Sequence, residues 1–129
     1  MTLIDTSVLI TYLKTASPAI RAIFGSVECA ICGVTRAEVL HGARTKQDAI
    51  SLNAALNAFI QLPIQQSIWG DLGNHLASLR LKGLPMPFQD VLIAAVAIDQ
   101  KAELWSYDSH FQLIQSALPE LRLFDGPKA

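Results

Sequence analysis

The sequence predicts an α/β fold, a mainly parallel sheet with helices on both faces. Three observations carry that reading. Short apolar, β-branched segments alternate with longer segments of helical period along the whole chain. Gly, Pro and Ser punctuate most of the changes of period. One helical segment, "QDVLIAAVAIDQK" at 89–101, is apolar on most faces, as a helix buried centrally must be. Alternation of this kind favours parallel strands joined by right-handed crossovers.

Each element has its own signal. Leu3-Ile4 reads as a short strand running into Asp5, followed by a helix over 7–14. Ser17 supplies an N-cap, and Pro18 the first helical position, of a second short helix that ends near Phe24. "VECAICGV" at 27–34 lies between Gly25-Ser26 and Gly33 and reads as a buried strand over 28–31. In "TRAEVLHGAR" at 35–44, Thr35 and Glu38 have the spacing of a capping box, which puts Glu38 in the first turn of a helix. An amphipathic helix over 48–59 carries Leu52, Leu56 and Phe59 on one face, and "QLPI" is a short extended piece. Residues 66–82 place Ile68, Leu72, Leu76 and Leu79 at helical spacing until Gly83 stops the helix. Pro85 and Pro87 make "LPMP" a rigid connector to the central helix. "AELWS" then reads as a strand, "YDSHF" as a turn into a short helix, and "LRLF" as the last strand.

Composition bounds the function. A chain of 129 residues fits one domain spanning 1–129, long enough to bury roughly two-thirds of its unfolded surface. Hydrophobic residues make up 51% and mean hydropathy is +0.34, which implies a generous core plus an apolar surface that a partner covers. No apolar run approaches the roughly 18 residues that span a bilayer. The start has no basic residue ahead of its apolar stretch, and Asp5 interrupts it, so the expectation is a cytoplasmic protein with no membrane partner. A net charge of −1 excludes a global field that captures nucleic acid. Local cations remain, and Arg36, Arg44, Arg80 and Lys82 are the candidates for RNA contact, each also readable as solvated surface charge. Cys29 and Cys32 form a C-x-x-C, but residues three apart on a strand face opposite ways. They read as small buried hydrophobes rather than a zinc or redox pair.

Four acids share one address in this reading. Asp5 follows the first strand, Glu38 opens the helix after the second, Asp90 opens the central helix, and Asp108 follows the strand before the last. In a parallel sheet these positions lie beyond the carboxyl ends of the strands, where ligands bind. Carboxylates gathered there repel one another unless a divalent cation is present, and oxygen ligands suit Mg²⁺ or Mn²⁺. Each acid also has a structural reading. Asp5 serves as an N-cap, Glu38 completes the capping box, Asp90 complements a helix dipole, and Asp108 forms an Asx-turn.

Four blocks, "LIDTSVLI" with Asp5, "TRAEVLHGA" with Glu38, "PMPFQDVLIAAVA" with Asp90 and "LWSYDSHFQLI" with Asp108, together resemble the PIN-domain ribonucleases. Within these, the chain is similar to the VapC-type toxins of toxin–antitoxin pairs. The resemblance implies a three-layer α/β/α sandwich, a Mg²⁺- or Mn²⁺-dependent endoribonuclease, a homodimer and an antitoxin partner. It carries Asp5, Glu38, Asp90 and Asp108 over as catalytic acids, with Asp5, Asp90 and Asp108 on the metal. Thr6, Ser7 and Ser106 match its supporting hydroxyls. One departure stands out: Asp108 sits where a common form of the last block has Asn, and His110-Phe111 sits where it has Asp-Phe. His110 reads as a capping or packing histidine, with a role near the site as the alternative, and His41 and His75 carry no catalytic role.

The implied reaction is metal-assisted phosphodiester hydrolysis, with Glu38 orienting or deprotonating a bound water. Leu9, Leu13, Ile20, Phe24, Trp69 and Leu72 are candidates for the dimer or antitoxin surfaces, with core burial the competing fate. Two other classes stay open, a receiver-like Mg²⁺-binding domain and a non-catalytic interaction domain with the same fold.

Overall fold

The computed structural model describes residues 1–128, and the final residue of the predicted 1–129 domain lies outside them. Five strands, β1 (Thr2–Ile4), β2 (Cys29–Cys32), β3 (Ile60–Leu62), β4 (Glu103–Trp105) and β5 (Arg122–Leu123), form one sheet in the order β3-β2-β1-β4-β5. Every neighbouring pair is parallel, with Leu3 opposite Ala30 on one side and Leu104 on the other. The receiver-like reading fails here. That doubly wound class has the order 2-1-3-4-5, whereas β3 in this chain lies at the sheet edge beyond β2.

The helices follow the predicted alternation: α1 (Thr6–Thr15), α2 (Pro18–Ser26), α3 (Gly33–His41), α4 (Lys46–Leu56), α5 (Gln66–Leu81), α6 (Phe88–Asp99) and α7 (His110–Ala117). Ser17 caps α2 through the Ile20 amide, and Gly83, at φ +76°, ends α5 as its sequence position predicts. Helix α4 starts two residues before the expected 48, because Thr45 accepts from the Asp48 amide and so caps it from further upstream.

Strand alternation divides the core into two layers. Leu3, Ala30, Cys32 and Leu104 face α5, α6 and α7, while Ile4, Cys29, Ile31 and Trp105 face α1, α2 and α4. The result is the predicted three-layer α/β/α sandwich. In α6, residues 91–97 are all buried, which explains its near-continuous apolar sequence. Cys29 and Cys32 are free and lie in opposite layers, as a strand requires, and burial raises both thiols above their ordinary value. Neither is an activated nucleophile.

Among the described residues, no helix is long and apolar enough to cross a membrane. Of the six surface candidates, Leu9, Ile20 and Leu72 are buried in the core and Phe24 is half-buried. Leu13 and Trp69 are nearly half exposed.

Candidate metal centre

The sheet order sets the location. Strands β2 and β3 leave β1 on one side, and β4 and β5 lie on the other, so β1 and β4 flank the topological switch point. A crevice opens there beyond the carboxyl ends of parallel strands. Asp5 is the residue after β1, and Ser106 and Asp108 follow β4. Crossover helices run back against the strands, so the N-termini of α1, α3, α6 and α7 point to the same edge, where their dipoles favour negative charge.

Asp5 is only 5% exposed, and its satisfaction is specific. Its Oδ2 accepts from Ser7 Oγ at 2.7 Å and from Ser106 Oγ at 2.7 Å. A longer contact at 3.4 Å from the Ser7 amide makes it the N-cap of α1 as well. Asp5 is thus both the cap of α1 and a ligand candidate from the sequence. The two serine oxygens also accept hydrogen bonds from the turn after β4. The Tyr107 amide donates to Ser7 Oγ at 3.0 Å and the Asp108 amide to Ser106 Oγ at 2.9 Å. This relay ties the start of α1 to the β4–α7 turn and leaves Asp5 Oδ2 accepting from both serines.

Glu38 is reached differently from the prediction. Helix α3 begins at Gly33, so Glu38 stands in its second turn rather than its first, and no capping box forms. Thr35 is fully buried and donates to the Ile4 carbonyl at 3.4 Å. Glu38 Oε1 instead accepts from Thr6 Oγ1 at 2.8 Å, which brings the carboxylate beside Asp5's helix. The physical reason is that β2 runs directly into α3. Cys32 takes the cap position, where it makes no side-chain cap bond, and Thr35 falls inside the helix.

The tightest group joins His110 to two of the predicted acids. His110 Nδ1 lies 2.8 Å from Asp90 Oδ2 and 3.3 Å from Asp108 Oδ1. One ligand atom each from Asp90, Asp108 and His110 falls within 4.8 Å of the others. His110 is therefore neither a capping nor a packing residue. It sits among the acids, and the sequence signal for this was its position two residues after Asp108. The turn itself is an Asx-turn, in which Asp108 Oδ1 accepts from the His110 amide at 2.9 Å. Asp5 and Glu38 stand outside this trio, yet Asp5 is close enough for its charge to act on Asp90.

Titration follows from that crowding. Burial raises the Asp90 carboxyl above the ordinary range; the His110 hydrogen bond opposes this, and the Asp108 and Asp5 charges add to it. The hydrogen bond to Asp90 raises His110 in turn, with the charges of Asp108 and Asp90 adding to the effect and a little burial opposing it. The donor set of two carboxylates and an imidazole, with Asp5 beside it, fits a hard or borderline divalent cation.

The cation candidates divide. Arg36 is half-buried, and its guanidinium donates to Asn53, Asn57 and Gln61 at 2.9, 2.7 and 3.1 Å. It also shares no helix face with Arg44, which lies beyond the end of α3. Arg44, Arg80 and Lys82 are exposed and, among the described residues, none pairs with a carboxylate.

A second feature lies on the other side of α1. An apolar groove of about 520 Å³ runs between α1, α2 and α4, lined by Leu9, Tyr12, Phe24, Leu52, Leu56 and Phe59 among others. A smaller hollow shared by Leu13, Val39 and Leu52 continues it to Glu38.

The sequence profile of the PIN domain matches residues 2–116. The chain belongs to the PIN-domain family. Solved structures agree on the fold. VapBC2 from Rickettsia felis, bound to a DNA fragment from its promoter, superposes with a TM-score of 0.83 at 21% identity, covering 95% of this chain and 96% of that one. VapBC-1 from nontypeable Haemophilus influenzae gives 0.82 at 20% identity, with 96% of both chains covered. VapC20 from Mycobacterium tuberculosis, a sarcin-ricin loop cleaving toxin, gives 0.68 at 13% identity over 87% of this chain and 93% of that one. No curated protein matches at the sequence level. This PIN domain therefore shares its architecture with those proteins across nearly its whole length.

Proposed function

We propose that this PIN domain is a divalent-metal-dependent endoribonuclease, the toxin of a toxin–antitoxin pair. The observation that carries the reading is the cluster of Asp90, Asp108 and His110, with Asp5 close enough for its charge to act on Asp90 and Glu38 bonded to Thr6 on the adjoining helix. The likeness of the fold to VapBC complexes and to an RNA-loop-cleaving VapC supports it.

In this reading Asp5, Asp90 and Asp108 hold Mg²⁺ or Mn²⁺. The bound ion supplies a water of lowered pKa and neutralises charge on the phosphate and the departing oxygen. The chain's own residues do the rest. Ser7 and Ser106 occupy Asp5 Oδ2, leaving Oδ1 free as the ligand oxygen. Thr6 occupies Glu38 Oε1, leaving Oε2 to orient the attacking water and take its proton. Arg44, Arg80 and Lys82 are the exposed cations available to RNA phosphates. The apolar groove along α1, α2 and α4 takes an amphipathic segment of the antitoxin, in the helix-in-groove or strand mode common to such surfaces. Exposed Trp69 and Leu81 on α5 are candidates for the homodimer face. The proposed location is the cytoplasm.

Cleavage of a structured RNA by the purified chain, followed with and without Mn²⁺, tests this directly. Asp90→Asn and Asp5→Asn are expected to lose at least about 100-fold, the scale of a metal-dependent step, while keeping the wild-type circular dichroism. Wild-type cleavage by both folded variants would rule out the site.

A further inference from the structure

We propose that His110 is a metal ligand, so that the centre is a mixed nitrogen–oxygen site that favours Mn²⁺ and later first-row ions over Mg²⁺. The inference rests on the metal-dependent reading above and assigns its cation class.

Local structure aims the ring. His110 is the first residue of α7, and the next residue, Phe111, is 1% exposed and pins the rotation of the helix in the core. The His110 amide is held by Asp108 Oδ1. Those two constraints leave the imidazole above the edge, with Nδ1 turned toward both acids.

The distances fit a shared ion. With bonds of about 2.1 Å, neighbouring ligand atoms around an octahedral cation stand about 3 Å apart. Nδ1 lies 2.8 Å from Asp90 Oδ2 and 3.3 Å from Asp108 Oδ1, on either side of that value. A neutral Nδ1 lone pair facing a carboxylate oxygen at 2.8 Å is repulsive, so an electropositive centre belongs between them. In the metal-free chain that charge is a proton; in the loaded chain a cation bonded to both atoms would supply it.

Donor chemistry then sets the preference. Mg²⁺ seeks oxygen and keeps its waters, whereas imidazole raises the affinity of transition ions in the Irving–Williams order. A trio of two carboxylates and one imidazole therefore shifts the balance away from Mg²⁺. The other imidazoles, His41 at the end of α3 and His75 within α5, do not belong to the trio.

The test is electron-spin-echo envelope modulation of Mn²⁺ bound to the full-length chain, with Mn²⁺ and Mg²⁺ titrations beside it. Wild type is expected to show modulation from a directly bound ¹⁴N, replaced by a ¹⁵N pattern in labelled protein. His110→Asp keeps a charged ligand but removes the nitrogen, so it should lose the modulation and narrow the Mn²⁺/Mg²⁺ affinity ratio. Even outer partners of metal ligands contribute 10–100-fold to affinity, so His110→Ala should weaken Mn²⁺ binding at least roughly tenfold. Stoichiometric Mn²⁺ without bound ¹⁴N would overturn the assignment of His110 while leaving the nuclease site intact, provided that Asp90→Asn loses the ion. No Mn²⁺ binding by the folded wild type would overturn both.

Discussion

The two sides of α1 hold opposite kinds of surface. On one side, Asp5 Oδ2 sits in a web of hydroxyls and amides within 3.0 Å of Ser7 or Ser106 oxygens, next to a trio of charged ligands. On the other, Leu9 and Leu56 open on an apolar groove of about 520 Å³. The first surface is over-determined by directional bonds yet carries unbalanced negative charge. The second is built from non-directional packing and carries an unfilled apolar hollow. The first is suited to a cation and the second to apolar partner atoms. That difference predicts that the two surfaces respond to different perturbations.

Chelation is the strongest way to separate them. EDTA is expected to reduce RNA cleavage at least about 100-fold while leaving capture of an antitoxin segment in place, measured by fluorescence anisotropy. Loss of both together would mean that the ion organises the groove as well.

Packing at the boundary between groove and core comes next. Leu56 is 2% exposed, and Leu56→Ala should cost about 2–5 kcal/mol in urea unfolding. Mn²⁺ affinity of the folded fraction should stay within about threefold, because Leu56 lies on α4, in the core layer opposite the one that packs α6 and α7.

Removing one hydroxyl probes the polar web. A hydrogen bond to a charged group contributes about 1.5–3 kcal/mol, so Ser106→Ala should lower stability by that order. It should also loosen Asp108, whose amide loses its acceptor. Wild-type stability together with wild-type Mn²⁺ affinity would show that Ser7 alone holds Asp5.

The smallest effect is a pH slope in the metal-free protein. His110 is raised in the folded state by its bond to Asp90. Its contribution is therefore fully present below about pH 6.5, the ordinary imidazole value, and is lost as pH rises through the raised value. Burial of Asp90 acts in the same direction at lower pH. Thermal melts should show stability declining across neutrality in wild type and a flatter profile in His110→Ala, whereas Mn²⁺ affinity rises over the same range as the competing proton leaves. A flat wild-type melt would contradict the pairing.

Much of this was legible in the residues. The period-2 strands, the apolar run 91–97 and the caps at Ser17 and Gly83 were enough to predict the sandwich, and with it the edge where Asp5, Asp90 and Asp108 fall. What stayed hidden depends on short-range register. Thr35-x-x-Glu38 has the spacing of a capping box, but that spacing carries no information on where β2 stops, and a helix starting at Gly33 turns the same two residues to different tasks. Arg36 looks like any surface cation until α4 and β3 bring Asn53, Asn57 and Gln61 around it. His110 needed the rotation of α7, set by a buried Phe111 that a linear reading treats as core alone.

One location for a cation decides the function proposed for this PIN domain. Crystals of the wild-type chain soaked in Mn²⁺, measured at a wavelength with strong manganese anomalous scattering, test it most directly. The prediction is an anomalous peak within bonding distance of Asp90, Asp108 and His110 Nδ1 at the β1–β4 edge. A peak elsewhere, or none at an Mn²⁺ concentration that supports cleavage, would contradict it.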